Sequence, residues 1–171
     1  FLSNLISFKS VTGNEKPIQE FISKTLKEIG LEVDIWDPDH EELKRHPAYV
    51  KVEKGYEGRP NVVGKLKGMG NGRSLLFNGH VDVIPADENN WATDPWKATL
   101  KNGKMIGRGA SDMKGGDVCM TMAVKILREL GIKLKGDVFF EYVVDEELSG
   151  NGTIACIQRG YKADAGISLE A

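Results

Sequence analysis

Residues 137–144, DVFFEYVV, form a near-continuous apolar run, and three acids follow it at positions 145–147. Such a run is typical of a strand covered on both faces, because a strand with one wet face alternates apolar and polar residues. Neighbouring strand side chains also point to opposite faces, so Glu146 and Glu147 cannot share one task unless the backbone turns there. The stretch predicts a buried strand that ends either in a cation-binding site or in a solvated strand-to-loop junction.

Helices and further strands alternate around this run. A capping-box pattern at residues 12–15 predicts a helix that follows Thr12 and stops at Gly30. An apolar stripe that includes Ile126 and Leu130 predicts another helix. The predicted helices lie at the start of the chain and over 12–30, 112–130 and 149–160, and the predicted strands over 31–36, 61–68, 73–84, 137–144 and 165–171. This alternation favours an α/β sandwich with a largely parallel sheet.

The composition is that of an ordinary globular domain. The chain has 171 residues, 40% hydrophobic and 28% charged, with a formal net charge of −2. These values give no support to nucleic acid or a membrane as a partner, and no apolar stretch approaches the roughly 20 residues of a bilayer span. Cys119 and Cys156 lack a C-x-x-C pattern, so we expect two core thiols in a reducing cytoplasm. The polar segment 37–60 receives no role from the sequence.

The first candidate site residue is His80, which follows an apolar run and precedes Asp82 by two positions. Residues at i and i+2 share one face of an extended segment, so the Asp82 carboxylate can accept the second imidazole N–H. Metal-binding histidines usually have such a partner. The alternative is a surface histidine beside a turn acid, and the pair alone does not decide between the two.

The glycine-rich stretch 107–116, GRGASDMKGG, places Asp112 at the start of a predicted helix. A phosphate loop would need Gly-Lys-Ser/Thr after four spacer residues, and a dinucleotide fingerprint would need a third glycine where Asp112 stands. Both are therefore excluded. Asp112 could cap the helix. Alternatively, the glycines could let the backbone approach a ligand that Asp112 holds.

These candidate residues gather at one predicted rim of the sheet. They follow predicted strands or, in one case, open a helix, and they are His80, Asp112, Glu146, Glu147 and Glu170. In open α/β sheets, ligands bind at the C-terminal ends of the strands. One histidine with several carboxylates suits Zn²⁺, Co²⁺ or Mn²⁺ in hydrolytic sites, and a metal pair would remove the repulsion among the acids.

Three motifs carry a family resemblance: NGHVDVIP at 78–85, GRGASDMKGG at 107–116 and DEELSGNGT at 145–153. In this order they resemble the zinc aminoacylase and carboxypeptidase G metallopeptidase family, which includes acetylornithine deacetylase and succinyl-diaminopimelate desuccinylase. The resemblance is most specific over residues 75–171. It implies a three-layer α/β sandwich with a mostly parallel mixed sheet, as in phosphorylase/hydrolase-like catalytic domains of zinc exopeptidases.

By this resemblance, the metal ligands are His80, Asp112, Glu147 and Glu170. Asp82 would orient the histidine, and Glu146 would be the general base that activates water and passes the proton to the leaving amine. Two divalent ions, zinc or alternatively cobalt, are implied, with Asp112 between them. The peptide bond after Asp112 is expected to be cis. Glu170 precedes Ala171, where the family commonly has proline.

The family also has a second metal-binding histidine far downstream, and neither His40 nor His46 matches it. The resemblance therefore implies that residues 1–171 are the N-terminal part of a catalytic domain. The lid or dimerisation domain and the C-terminal part of the catalytic domain would be missing. We expect this chain alone to hold metal weakly and to lack hydrolase activity.

The function predicted for the full-length protein is hydrolysis of the amide bond of a small N-acyl amino acid in the cytoplasm. One alternative is an aminopeptidase or dipeptidase of the same family, acting on a short peptide. Another is a non-catalytic relative that kept the fold. The sequence leaves open the acyl group, the native metal and the oligomeric state, for which a homodimer is one option.

Overall fold

The computed structural model describes residues 1–170, and Ala171, the last residue of the predicted final strand, lies outside the described residues. The strands are β1 (Glu32–Trp36), β2 (Asn61–Leu66), β3 (Leu75–His80), β4 (Thr99–Lys101), β5 (Lys104–Ile106), β6 (Val138–Val143) and β7 (Ala165–Ser168). The helices are α1 (Leu2–Ser7), α2 (Lys16–Ile29), α3 (His40–Leu43), α4 (Lys114–Glu129) and α5 (Asn151–Gln158), with a 3₁₀ turn at Glu88–Asn90.

The strand predicted at 137–144 is confirmed as β6, and it is the middle strand of the main sheet. The strand order is β1-β2-β6-β3-β7, and β4 pairs with β5 in a separate ribbon. The pairs β1–β2 and β2–β6 are antiparallel, whereas β6–β3 and β3–β7 are parallel. The sheet is therefore mixed, and its parallel half brings the ends of β3 and β6 to one rim, with His80 opposite Val143.

Helices cover both faces of the sheet, which confirms the predicted three-layer α/β sandwich. The helices α1, α2 and α4 lie on one face, where Ile22 and Phe140 belong to the main core. The helices α3 and α5 lie on the other face, where Val143 and Cys156 belong to a smaller cluster. Phe140 and Val143 serve opposite faces because side chains alternate along β6. Among residues 1–170, no helix has the length and apolar character that a membrane span requires.

The apolar stripe predicted for the helix at 112–130 is wrong toward its C-terminal end, although Val118, its first member, packs against the main core. Ile126 and Leu130 are 49% and 67% exposed. The buried face of α4 carries Asp117 and Met120 instead. Because an acid stands on the core side of the helix, hydrophobic periodicity does not reveal which face is buried.

The two cysteines have different environments. Cys156 is buried, as predicted, whereas Cys119 is exposed on α4, so its predicted core position is wrong. Successive helix residues are rotated by about 100°. Since Met120 faces the core, its neighbour Cys119 turns toward solvent.

The capping box predicted at residues 12–15 does not form. The N-cap residue of α2 is Glu15, and its side chain makes no capping hydrogen bond. The Thr12 hydroxyl donates to the Asp82 carboxylate instead, and the Glu15 carboxylate accepts from Arg59. Thr12 and Glu15 were predicted to cap the helix, but both side chains instead form hydrogen bonds with residues distant in the sequence.

Candidate metal centre

His80 is the last residue of β3 and is buried at the rim of the sheet. Its Nε2 atom lies 3.0 Å from Oδ1 of Asp112 and 3.4 Å from Oε2 of Glu170. Oε2 of Glu146 is 3.6 Å from the same nitrogen. One imidazole nitrogen therefore faces carboxylates from three separate parts of the chain.

Glu147 completes this cluster. Two groups of three donor atoms, each within 4.8 Å of one another, share His80. One group adds Glu146 and Glu170, and the other adds Asp112 and Glu147. The fold therefore brings together all five residues that the sequence placed at the rim.

The other two histidines do not belong to these donor groups within residues 1–170. The Nε2 atom of His40 lies 2.9 Å from the Tyr49 hydroxyl. The Nδ1 atom of His46 accepts a hydrogen bond from the N–H of Ala48. Both histidines make these contacts within the segment 37–60.

The backbone turns at Asp145, two residues after the end of β6. Asp145 has a φ of 63°, in the left-handed region. This turn ends the alternation of the strand, under which adjacent side chains would point to opposite faces. As a result, the adjacent acids Glu146 and Glu147 both bring a carboxylate oxygen close to His80.

Asp82 lies beside the imidazole and is fully buried. The predicted pairing with His80 is present, but the nearer acceptor for Nδ1 is the Asp82 backbone carbonyl at 2.9 Å, while Oδ1 is 3.5 Å away. The carboxylate accepts hydrogen bonds from the Thr12 hydroxyl at 2.8 Å and from the N–H groups of Glu146 at 3.1 Å and Glu147 at 3.3 Å. Asp82 therefore connects the histidine with the turn that carries the acids.

Asp112 reaches the centre from the segment before α4. Its side chain is 56% exposed, and its Oδ1 atom contacts His80. The N-cap residue of α4 is Met113, and the helix has no side-chain capping hydrogen bond, so the interpretation of Asp112 as a helix cap is wrong. The peptide bond between Asp112 and Met113 is cis, as the resemblance implied.

The acids of the centre change the protonation of His80. Burial acts to lower the pKa of this imidazole, but the hydrogen bond and charge of Asp82 and the charges of Glu146 and Glu170 raise it to about 10. The imidazole therefore gains positive charge to balance its neighbours. A divalent cation at the same position would balance the carboxylates more fully.

Two of the acids have shifted pKa values of their own. Burial raises the pKa of Glu147, and the charge of Asp112 adds to this effect. Burial also acts to raise the pKa of Asp82, but hydrogen bonds from His80 and Thr12 hold it below its usual range. Asp82 therefore stays ionised, whereas burial and the charge of Asp112 disfavour the ionised form of Glu147.

Three residues around the centre were missed by the sequence analysis: Thr12, Tyr56 and Arg59. The Tyr56 hydroxyl donates to Oδ2 of Asp145 at 2.6 Å, and Nη2 of Arg59 lies 3.4 Å from Oδ1. Thr12 fits a capping-box pattern with Glu15, and such a pattern ordinarily predicts the start of a helix. Tyr56 and Arg59 lie in a long polar connection without periodicity, so no sequence signal separates them from surface residues.

Comparison with known proteins assigns the chain to a family. The sequence profile of the peptidase family M20/M25/M40 matches residues 76–170, a range that contains every residue of the centre. The chain belongs to this family. Membership in M20 confirms the resemblance to zinc aminoacylases and carboxypeptidases that the three motifs carry.

Curated relatives of the M20 chain include a deformylase and a desuccinylase. It is 44% identical over 157 residues to the N-formyl-4-amino-5-aminomethyl-2-methylpyrimidine deformylase of Bacillus subtilis, covering 90% of the chain and 33% of that protein. It is 31% identical over 167 residues to the succinyl-diaminopimelate desuccinylase of Methylobacterium radiotolerans, covering 94% of the chain and 39% of that protein. The chain spans between 33% and 39% of the length of these relatives.

Solved structures share the fold of the M20 chain. Human carnosine dipeptidase 1 matches with a TM-score of 0.81 and 23% identity, over 99% of this chain and 37% of that one. The M20 metallo-carboxypeptidase Sso-CP2 from Sulfolobus solfataricus matches with a TM-score of 0.80 and 23% identity, over 99% of this chain and 36% of that one. At this level of identity, the likeness concerns the fold alone.

Proposed function

We propose that this chain is the metal-binding part of an enzyme that hydrolyses the amide bond of a small N-acyl substrate. The observation that carries the proposal is the convergence of one imidazole and four carboxylates at one rim: His80, Asp112, Glu146, Glu147 and Glu170. The identities of 44% to a deformylase and 31% to a desuccinylase support amide hydrolysis.

The donor atoms fit a divalent metal ion. An imidazole nitrogen and several carboxylate oxygens within 4.8 Å are ligands that Zn²⁺ and Co²⁺ take in hydrolytic sites. We assign His80, Asp112, Glu147 and Glu170 as the residues that would hold two such ions. Such ions, when bound, lower the pKa of water and polarise a carbonyl group.

Glu146 is assigned as the general base. Its side chain is 43% exposed, so its carboxylate is open to water and substrate. A carboxylate in this position can take a proton from the attacking water and deliver it to the leaving amine. The hydrogen bond of 3.1 Å between its N–H and Asp82 limits how far the base can move. The contact between Nδ1 of His80 and the Asp82 carbonyl would keep the imidazole in one orientation.

The relatives rank the candidate substrates. We propose an N-formyl amine as the first candidate substrate, because the relative at 44% identity is a deformylase. N-succinyl and N-acetyl amino acids come second, supported by the desuccinylase at 31% identity. A dipeptide is the alternative substrate, and its support is a likeness of fold at 23% identity.

The test is an activity panel with the full-length protein, prepared with Zn²⁺ or with Co²⁺. The substrates are an N-formyl aminomethylpyrimidine, N-succinyl-diaminopimelate, N-acetylornithine and a dipeptide. We expect metal-dependent release of the free amine, fastest from the formyl substrate. Activity on the dipeptide alone would overturn the substrate assignment, and no metal-dependent activity on any of the four would overturn the enzyme assignment.

We propose that residues 1–171 are the N-terminal part of a catalytic domain, followed in the full-length protein by a lid or dimerisation domain and the remaining strands. We also propose that the chain alone holds metal weakly and lacks activity, and that the enzyme works in the cytoplasm. Metal analysis that finds two tightly held zinc ions on the isolated chain would contradict the second statement.

A further inference from the structure

Asp145 separates the central strand from the two acids of the centre, and its φ is 63°. Glycine adopts this region freely, whereas other residues do so uncommonly, with aspartate and asparagine the better tolerated. A residue other than glycine keeps such a conformation only when its surroundings hold it. The contacts of the Asp145 side chain therefore decide whether the turn persists.

The Asp145 carboxylate is buried and held from three sides. Its Oδ2 atom accepts hydrogen bonds from the Tyr56 hydroxyl at 2.6 Å and from the Ser149 hydroxyl. Its Oδ1 atom lies 3.4 Å from Nη2 of Arg59, and Nε of Arg59 donates to Oε2 of Glu15 at 2.9 Å. Rotation of the Asp145 side chain would break its contacts with Tyr56, Ser149 and Arg59 at once.

Tyr56 links the turn to the segment 37–60. The Asn151 side-chain amide donates to the Tyr56 hydroxyl at 2.9 Å. The same amide exchanges hydrogen bonds with the Val50 backbone, at 2.8 Å to its carbonyl and 3.1 Å from its N–H. Burial and the Asp145 carboxylate raise the pKa of Tyr56, so its hydroxyl keeps the proton that it donates. These hydrogen bonds therefore anchor the segment 37–60 to Asp145 and Asn151.

We propose that Asp145 and Tyr56 are a positioning pair for Glu146 and Glu147, a role that rests on the proposed function. The pair acts through the backbone turn and does not itself hold metal. With the pair intact, both acids point toward His80. Without it, the backbone relaxes toward an extended conformation, side chains alternate again, and only one of the two acids faces the rim.

If the pair had a purely structural role, its loss would lower the stability of the protein and leave the metal centre unchanged. Substitutions at position 145 separate the needs of the backbone from those of the side chain. Glycine adopts a positive φ freely but lacks the carboxylate. Asparagine tolerates this φ and keeps an acceptor for the Tyr56 hydroxyl. Alanine has neither property.

The test measures Co²⁺ affinity and the visible absorption of the Co²⁺ form in the full-length protein. The variants are Asp145→Asn, Asp145→Gly, Asp145→Ala and Tyr56→Phe. We expect Asp145→Ala to lower the affinity by roughly 10–100-fold, the range for partners that orient metal ligands, and to change the spectrum. Asp145→Asn should recover most of this loss, Asp145→Gly should fall between the two, and Tyr56→Phe should weaken binding.

The matched control is Tyr49→Phe. It removes another hydroxyl of the same segment, which lies 2.9 Å from Nε2 of His40, and we expect unchanged Co²⁺ affinity. An equal loss in this variant would trace the effect to general damage of the segment and overturn the positioning role.

The remaining outcomes separate the two proposals. Equal affinities and identical spectra in the wild type, Asp145→Ala and Tyr56→Phe would overturn the positioning role and leave the proposed function standing. A wild-type protein that binds no Co²⁺ would overturn the proposed function and the positioning role with it. If Asp145→Ala does not fold, the Co²⁺ affinities of Tyr56→Phe and Asp145→Asn test the positioning role. Each of these variants nearly keeps the volume of the side chain that it replaces.

Discussion

The N–H of Glu146 donates a hydrogen bond of 3.1 Å to Oδ1 of Asp82. This bond joins the turn after β6 to the loop after β3, and the N–H of Glu147 makes a second contact of 3.3 Å with Oδ2. The acid next to the histidine therefore also holds the backbone of the proposed base and of a proposed ligand. Its contribution to the centre extends well beyond the orientation of His80.

Asp82→Asn keeps the side-chain volume but replaces one acceptor oxygen with an NH₂ group, which cannot accept from a backbone N–H. We therefore expect metal affinity and kcat/KM of the full-length protein to fall by roughly 10–100-fold. Co²⁺ titration and steady-state kinetics measure the two losses. Asp87→Asn is the control, because Asp87 accepts hydrogen bonds in an exposed 3₁₀ turn. Losses of equal size in both variants would contradict a specific role of Asp82.

Glu146→Gln removes the proposed base and nearly keeps its shape. We expect kcat to fall by roughly 10²–10⁴-fold, because an amide cannot take the proton from water, while metal content stays at the wild-type level. Kinetics and elemental metal analysis on the same preparation provide the measurement. A fall in metal content would make Glu146 a ligand, a role that its distance of 3.6 Å from Nε2 of His80 also permits. Surviving activity would rule out the base.

Arg59→Met leaves the Glu15 carboxylate buried without its ionic partner. Breaking a buried ion pair from one side costs about 3–5 kcal/mol, because an uncompensated charge remains inside the protein. We expect a loss of this size in the free energy of unfolding, measured with denaturant, and a partial recovery when Glu15→Gln is added. Lys44→Met is the control, since its pair with Glu41 is exposed to water and its loss should change the stability little.

Asp117 on α4 predicts a pH dependence of stability. It is fully buried, and within residues 1–170 neither of its carboxylate oxygens has a hydrogen-bond partner. Burial raises its pKa well above the usual 3.8, against the opposing charges of His80 and Lys114. The unfolded chain therefore ionises first as the pH rises. The contribution of neutral Asp117 to the free energy of unfolding is therefore fully present below about pH 4. It is lost as the pH rises through the raised pKa of this group.

Asp117→Asn removes this ionisation. We expect the stability of the variant relative to the wild type to grow as the pH rises above about 4, measured by denaturant unfolding of the metal-free protein. Asp164→Asn, at an exposed acid bonded to Ser74, serves as the control and should not change the slope in this range. Parallel curves for the wild type and Asp117→Asn would contradict the assignment.

Much of the centre could be predicted from the sequence because its members follow strands. The apolar run of β6 and the positions of His80 and Glu170 place these residues at strand ends, and a parallel arrangement brings such ends to one rim. Motif order added Asp112 and the cis bond after it. These features depend on local pattern and on topology, and both are visible in the chain.

The supports of the centre could not be predicted in the same way. A left-handed aspartate such as Asp145 has no local signature, since its conformation is maintained by Tyr56 and Arg59 from a distant segment. Thr12 was assigned to helix capping because its spacing to Glu15 fits that role, yet a tertiary acceptor 70 positions away takes its hydroxyl. The conformation of Asp145 and the hydrogen bond of Thr12 therefore both depend on partners that come close only when the chain folds.

The strand β6 lies between two strands that are near neighbours along the chain. β2 ends at Leu66 and β3 begins at Leu75, yet both pair with β6, on opposite sides. In the folded sheet, β2 and β3 therefore lie about 9–10 Å apart, two strand spacings, although a direct hairpin between them would need only the short loop from Leu66 to Leu75. The segment that fills this space also ends in the acids of the centre. The strand at the middle of the sheet therefore also carries those acids to its rim.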